Sequence, residues 1–386
     1  MGTFAAPTRP ARYVELDSLR GLAALTVVLV HLSEVWIQVG LPPAAIARFV
    51  LFPLIIRGED AVILFFVLSG FVLALPKVDG KPQSYFVFVT RRVFRIYIPY
   101  LAALAISVAG ACLLRKAIPT HGWFNQSWAQ PIDWRLVGQH ILFLGTFDTS
   151  QFDPPIWSLV YEMRISLVFP LLAAIVLALR NRWSVAIAFL FSFGPFLVYK
   201  LHLLSGGSAV GATLQVTSFF ILGIYIARER HSIAARFSRL SGRVVFLFGL
   251  VSFFLVAFAR PLALDLTARH PAERFAIMAQ WFTALGAGGL MVVSMNSASV
   301  KRAFLWPPIH WLGERSYSLY LSHVIVILYC AHLLYGKVPV SLLLCLAFVL
   351  ILAASWCFYR WIELPSMQLG RRLSDHLRRP QKNAEA

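Results

Sequence analysis

Residues 338–361 read Val-Pro-Val-Ser-Leu-Leu-Leu-Cys-Leu-Ala-Phe-Val-Leu-Ile-Leu-Ala-Ala-Ser-Trp-Cys-Phe-Tyr-Arg-Trp, with no charge before Arg360. A bilayer core needs about 20 mostly apolar residues per helix, and this run supplies them. Working outward, comparable runs occupy residues 16–37, 61–75, 96–114, 156–179, 183–201, 211–227, 244–259, 275–294 and 317–334. The expected fold class is an all-α polytopic membrane protein with about ten transmembrane helices. Residues 136–147 are apolar but too short to cross, and read as interfacial or re-entrant. The first run is not a cleavable signal peptide: it holds Asp17 and Arg20, and no small-residue cleavage site follows it.

Composition points the same way. Hydrophobic residues make up 59% of the 386 and charged residues only 13%, against about 25% in a soluble domain. A water-soluble globule is excluded on that ground. The net charge of +18 does not indicate nucleic acid, because the basic residues fill short gaps between apolar runs instead of covering a polar surface. They also favour alternate loops. The set containing both termini holds Arg9, Arg12, Lys77, Lys81, Arg91, Arg92, Arg95, Arg228, Arg230, Arg236, Arg239, Arg243 and the cluster from Arg371 to Lys382. The opposite set is poorer, with Arg48, Arg57, Arg115, Lys116, Arg135 and Lys200 among its members. The positive-inside rule then places both termini in the cytoplasm. Residues 1–369 are expected to form one transmembrane domain, and 370–386 a short, basic, mobile cytoplasmic tail. Cys112, Cys330, Cys345 and Cys357 lie inside apolar runs with no CxxC spacing, so they read as small core residues instead of a disulfide framework or zinc site.

Ionisable residues inside spans each need a reason, because burying one in a bilayer costs several kcal/mol. Asp17, Arg20, His31, Glu34, Glu162, Arg164, His323 and His332 are of this kind. Arg20 and His31 share one helical face about three turns apart, roughly 16 Å along the axis. Asp17 lies one turn before Arg20, where it can pair with it, and Glu34 stands in the same relation to His31. A snorkelling Arg20 and a packing His31 are the structural alternatives. Against them, a buried imidazole beside a carboxylate is what general-base or nucleophilic chemistry requires. No HExxH or Cys/His ligand spacing is present, and no metal is expected.

Asp17-Ser-Leu-Arg-Gly21 followed by His31 resembles the opening motif of the acyltransferase 3 membrane family, an Arg or Lys, ten residues, then His. Further resemblances follow in order. They are Phe65-Phe-Val-Leu-Ser-Gly-Phe71, Arg92-Val-Phe-Arg95 with Pro99 beyond, and Trp157-Ser-Leu-Val-Tyr-Glu162. Gly313-Glu-Arg-Ser-Tyr-Ser-Leu-Tyr-Leu-Ser-His323 and Trp361-Ile-Glu363 with Pro365 complete the series. The matches run from residue 17 to residue 365 and so cover nearly the whole chain. One departure is Arg164-Ile-Ser166, where the family commonly has an aromatic pair after the Glu.

The resemblance implies an integral-membrane O-acyltransferase of the bacterial inner (plasma) membrane. It implies transfer of an acyl group, usually acetyl, from acyl-CoA to a hydroxyl of a sugar, glycolipid or polyketide-type acceptor, a carbohydrate-modification type of activity. It implies a stand-alone transferase, with no permanently bound cofactor and acyl-CoA as donor substrate. The partners expected are acyl-CoA, the acceptor and the lipid bilayer, with no nucleic acid. His31, Arg20 and Glu162 are the expected catalytic residues, His31 acting as base or acyl carrier. Arg92 and Arg95 are expected to bind phosphates of coenzyme A, for which the planar guanidinium is suited. Asp17, Glu34, Ser69, Trp157, Tyr317 and His323 are expected to line the substrate site. Ser69-Gly70 reads more as a close helix contact than as a nucleophile. A secondary transporter or flippase using the buried Arg, His and Glu as a relay is the second class of function. It leaves the ordered motifs without an account.

Overall fold

The computed structural model describes residues 13–39, 58–116, 118, 123–143, 147–200, 209–266 and 273–384. Arg9, Arg12, Arg48 and Arg57, used above for orientation, lie outside the described residues, as does residue 201 at the end of its run. The described chain is helical, in the order α1 (Val14–Gln38), α2 (Gly58–Val78), α3 (Tyr85–Leu114), a turn at Trp123–Gln126, and α4 (Trp134–Leu142). Then come α5 (Trp157–Ala178), α6 (Asn181–Lys200), α7 (Ala209–Phe237), α8 (Gly242–Leu266) and α9 (Glu273–Asn296). The remainder is α10 (Ala298–Phe304), α11 (Pro307–Glu314), α12 (Ser316–Leu334), α13 (Val340–Phe358) and α14 (Leu364–Ala384). Among the described residues, nine helical segments are long and apolar enough to cross a bilayer. The described part of the expected run 183–201 lies in α6, which packs on α7 and is not one of those nine. Helices are the natural solution here, since each satisfies its own backbone hydrogen bonds away from water.

Without a hydrophobic drive between helices in lipid, small residues set how closely they approach. Gly70 of α2 and Gly223 of α7 meet backbone to backbone. A Cβ on Gly70 would lie 2.2 Å from the Phe220 carbonyl oxygen, and one on Gly223 would lie 2.1 Å from that of Val67. The helix-contact reading of Ser69-Gly70 is what the fold uses. Gly21 of α1 and Gly313 of α11 make a second such crossing, where a Cβ on Gly21 would come within 2.4 Å of the Gly313 nitrogen. That contact brings the start of α12 against Arg20.

Two helices contain π turns, Val93–Tyr97 within α3 and Tyr359–Glu363 joining α13 to α14. Each ends two residues before a proline, Pro99 and Pro365. Proline has no N–H for the carbonyl four residues back and its ring crowds that carbonyl, so widening the preceding turn relieves both problems. Such turns are frequent at functional sites.

The segment 136–147 is partly the short helix α4, with residues 144–146 outside the described part. Asp133 caps α4 by accepting from the Arg135 N–H at 2.8 Å. His140 faces inward, within 3.0 Å of both the Tyr100 hydroxyl and the Asp148 carbonyl oxygen. Of the tail expected to be mobile, residues 370–384 continue α14. Ser366 donates to the Phe94 carbonyl at 2.5 Å, and Arg91 donates to Ser374 Oγ at 2.8 Å and to Asp375 at 3.2 Å.

Candidate functional site

Helix α1 carries Arg20 to a cavity of about 100 Å³ among α1, α2, α3, α5 and α12, lined by both charged and apolar side chains. Its walls include Arg20, Ser69, Arg92, Arg95, Glu162 and Tyr317, with Phe65 and Tyr320 among the apolar and aromatic ones. Residues from five separate stretches of sequence, including the expected site residues Arg20, Ser69, Arg92, Arg95, Glu162 and Tyr317, therefore meet in one place.

Each arginine on the wall has its own carboxylate. Arg20 Nη2 donates to Asp17 Oδ1 at 2.8 Å, the expected i,i+3 pair, and its Nε donates to Ser316 Oγ at 2.9 Å. Arg92 Nη2 donates to Glu162 Oε1 at 2.6 Å, and its Nε to Ser166 Oγ at 3.1 Å. Ser69 Oγ donates to the same Glu162 oxygen at 3.2 Å. Arg95 Nη1 donates to Glu363, which also accepts from Ser318, and its guanidinium lies 5.4 Å from the centroid of the Tyr317 ring. The Tyr317 hydroxyl donates to the Ile96 carbonyl at 2.8 Å, anchoring α12 to the π turn of α3. A charge this deep is tolerable only when paired and hydrogen-bonded. Nη1 of Arg20, Nη1 of Arg92 and Nη2 of Arg95 have no protein partner among the described residues. The three forks are thus anchored on one side and leave N–H groups for a ligand.

His31 is not on this cavity's wall. It lies deeper along α1, with its ring 5.7 Å from that of Trp123 and 5.0 Å from that of His323. Tyr320 connects the two regions. It lines the cavity, its ring lies 5.8 Å from that of His323, and its hydroxyl is 2.8 Å from Ser158 Oγ. Glu34 does not pair with His31: its Oε2 accepts from the Trp123 indole N–H at 2.9 Å, while His31 Nδ1 faces the Val27 carbonyl at 2.9 Å. The indole, from a loop remote in sequence, reaches the carboxylate and orients it. Trp157 is also placed differently from the substrate-lining expectation. It is 36% exposed, packs edge-on against Tyr161, and is absent from the cavity wall.

Glu363, Ser316, Ser318, Ser166 and Tyr320 join the site although no site role was expected of them; all five lie in the sequence stretches quoted above. For Glu363 a signal existed, a carboxylate in a span-terminal Trp-Ile-Glu-Leu-Pro stretch. The serines' residue type alone gives no such signal, because a hydroxyl in a helix can satisfy itself on a nearby backbone carbonyl. Arg164 faces away, with Nη1 3.3 Å from Thr213 Oγ1 and its guanidinium over Tyr161.

Comparison with known proteins gives a consistent picture. A family model described as an acyltransferase domain matches residues 13–360. A relative named acyltransferase MdmB, from Streptomyces mycarofaciens, is 32% identical over 183 residues, which is 46% of this chain and 44% of that protein. The match thus spans less than half the length of that relative. No solved structure matches the chain.

Proposed function

The chain belongs to the acyltransferase 3 family of membrane acyltransferases, and from that premise we propose that it moves an acyl group, acetyl in the simplest case, from acyl-CoA to a hydroxyl of a sugar, glycolipid or polyketide-type acceptor. One observation carries the reading. Helix α1 sets Arg20 in a cavity with Arg92 and Arg95, and sets His31 on the same face roughly 16 Å further along. The pantetheine arm of coenzyme A, a chain of bonds about 1.3–1.5 Å long each projecting a little over 1 Å when extended, is close to that length. A phosphate at the arginines then puts the thioester at the imidazole.

The cavity's size fits one phosphate group. It is far below the roughly 300–1,000 Å³ of a site that encloses a whole ligand, so the nucleotide stays outside it. Arg20, Arg92 and Arg95 hold the phosphate through the N–H groups that their carboxylates leave open, and Glu162 keeps Arg92 in place. At the other end, His31 takes the acceptor hydroxyl proton as its oxygen bonds to the thioester carbonyl carbon. The carbon–sulfur bond then breaks, and the departing thiolate takes the proton back from His31. Residence in the bacterial inner membrane, with the arginine cavity facing the cytoplasm where acyl-CoA is made, completes the proposal.

The test is transfer from radiolabelled acetyl-CoA by purified protein in detergent, offered a panel of sugars, glycolipids and macrolide-type alcohols. Label on an acceptor is expected, and His31→Gln, which cannot take up a proton near neutral pH, should lower transfer by about 10²–10⁴-fold. Acetyl-pantetheine, which lacks the phosphates, should be a poor donor for the wild type, and Arg92→Ala should matter far less with it. Acceptor carried across a reconstituted membrane without label transfer would replace the enzyme with a transporter.

A further inference from the structure

His323 Nδ1 lies 2.6 Å from the carbonyl oxygen of Tyr320. A carbonyl oxygen only accepts, so this nitrogen carries a hydrogen, and the lone pair of the neutral ring is on Nε2. That Nε2 lies 3.2 Å from Nδ1 of His31, which itself lies 2.9 Å from the Val27 carbonyl oxygen. His31 Nδ1 therefore faces two acceptors and is the N–H of its ring. Protonation of His323 would set a second N–H against that one, so the contact requires His323 neutral. By elimination the lone pair of His31 is on Nε2.

We infer that His323 is a positioning residue for the transfer: its Nε2 accepts the Nδ1–H bond of His31, fixes His31 in the tautomer whose Nε2 is basic, and stabilises the imidazolium formed during the reaction. This rests on the reading of His31 as the base. The acceptor hydroxyl proton goes to His31 Nε2 and leaves with the thiolate. The Nδ1–H stays in place, shared between Val27 and His323. While His31 is cationic the bond to His323 is charge-assisted and stronger than in the resting state, so it favours the transition state over the bound substrate and acts on kcat. The setting suits the role. His323 is fully buried, Tyr320 holds it from its own helix, and Glu34 takes its hydrogen bond from Trp123, so the side chain hydrogen-bonded to His31 is that of His323.

The experiment compares wild type, His323→Leu, His323→Gln and His31→Gln in the labelled acetyl-CoA assay, with whichever acceptor of the panel takes label. Nitrogen NMR of histidine-labelled wild-type protein in detergent accompanies it. The charge-assisted hydrogen bond is lost in His323→Leu, which should therefore lose roughly 10–100-fold in kcat with KM for acetyl-CoA unchanged. His323→Gln should recover most of that loss, since its side-chain oxygen accepts from nearly the same position. The NMR spectrum should show His31 with Nδ1 protonated and Nε2 bare. Equal rates in all three His323 forms, equal loss in Leu and Gln variants that melt like the wild type, or a protonated Nε2 on resting His31 would each overturn the inference. Should the Leu variant not fold, the Gln variant and the wild-type spectrum still decide. An inactive His31→Gln beside a normal His323→Leu removes only this inference, whereas an active His31→Gln removes the base itself.

Discussion

Arg95 and Glu363 show what a buried ion pair demands at the scale of single residues. The Glu363 carboxylate is wholly buried, held by Arg95 and Ser318, and a charge in that position without its partner is strongly destabilising. Breaking such a pair from one side costs about 3–5 kcal/mol, while replacing both members with apolar residues is often neutral. Arg95→Met should therefore lower the melting temperature of the detergent-solubilised protein sharply, and Arg95→Met with Glu363→Met should recover much of it. Neither variant should recover acyl transfer. A double variant as unstable as the single one would show that the pair is not the source of the cost. Arg92 and Glu162 obey the same logic, with the difference that Ser69 and Ser166 share the load. Glu162→Gln keeps two acceptor–donor contacts but drops the charge, so a milder effect on stability than Glu162→Ala is expected in the same melts.

At the scale of helices, the crossing of α2 and α7 and the docking of α4 each hinge on one position. Gly70→Ala puts a methyl group where the Phe220 carbonyl now sits, forcing the helices apart at the residue beside Ser69. Overpacking of this kind costs about 1–3 kcal/mol, and displacement of Ser69 from Glu162 should lower transfer as well. Normal stability and activity in that variant would mean the crossing is compliant. For α4, burial holds His140 well below the ordinary histidine range, at about 4. The unfolded chain, at about 6.5, then binds the proton more readily. The stability His140 contributes is complete above about pH 6.5 and declines as pH falls toward 4. Wild-type protein should lose about 1–2 kcal/mol from this source by pH 5, and His140→Gln should flatten that part of the profile in thermal melts at pH 7.5 and 5. An unchanged profile would place the acid sensitivity elsewhere.

For the whole molecule, orientation follows from the uneven loops. Lys81, after α2, belongs to the richly basic set, and Arg135, at the start of α4, to the poor one. On a background lacking Cys112, Cys330, Cys345 and Cys357, the variants Lys81→Cys and Arg135→Cys should react with a membrane-impermeant maleimide from opposite sides, Lys81→Cys from the cytoplasm. Labelling of both from one side would sink the orientation. Helix α14 belongs to this scale too. Its Ser366, Gly370 and Ser374 face the start of α3, while Leu369, Leu373 and Leu377 form an exposed apolar row. Such an amphipathic helix suits the membrane surface, and it lies next to Arg95 through Met367.

The span pattern was legible in the chain alone because a bilayer imposes length and apolarity on every helix separately, and each helix closes its own hydrogen bonds. Arg20 with Asp17 was legible for a similar reason, since partners one turn apart meet whatever the rest of the fold does. The same local rule failed for His31 and Glu34, because Trp123 took the carboxylate. Arg92 with Glu162, Arg95 with Glu363 and His31 with His323 are pairs between distant helices. Which residues meet across a bundle depends on how closely glycines let helices approach, on the angle at which they cross, and on the extra residue in a π turn. Those quantities exist only once the helices are packed, so tertiary structure alone decided that Arg92 meets Glu162, Arg95 meets Glu363 and His31 meets His323.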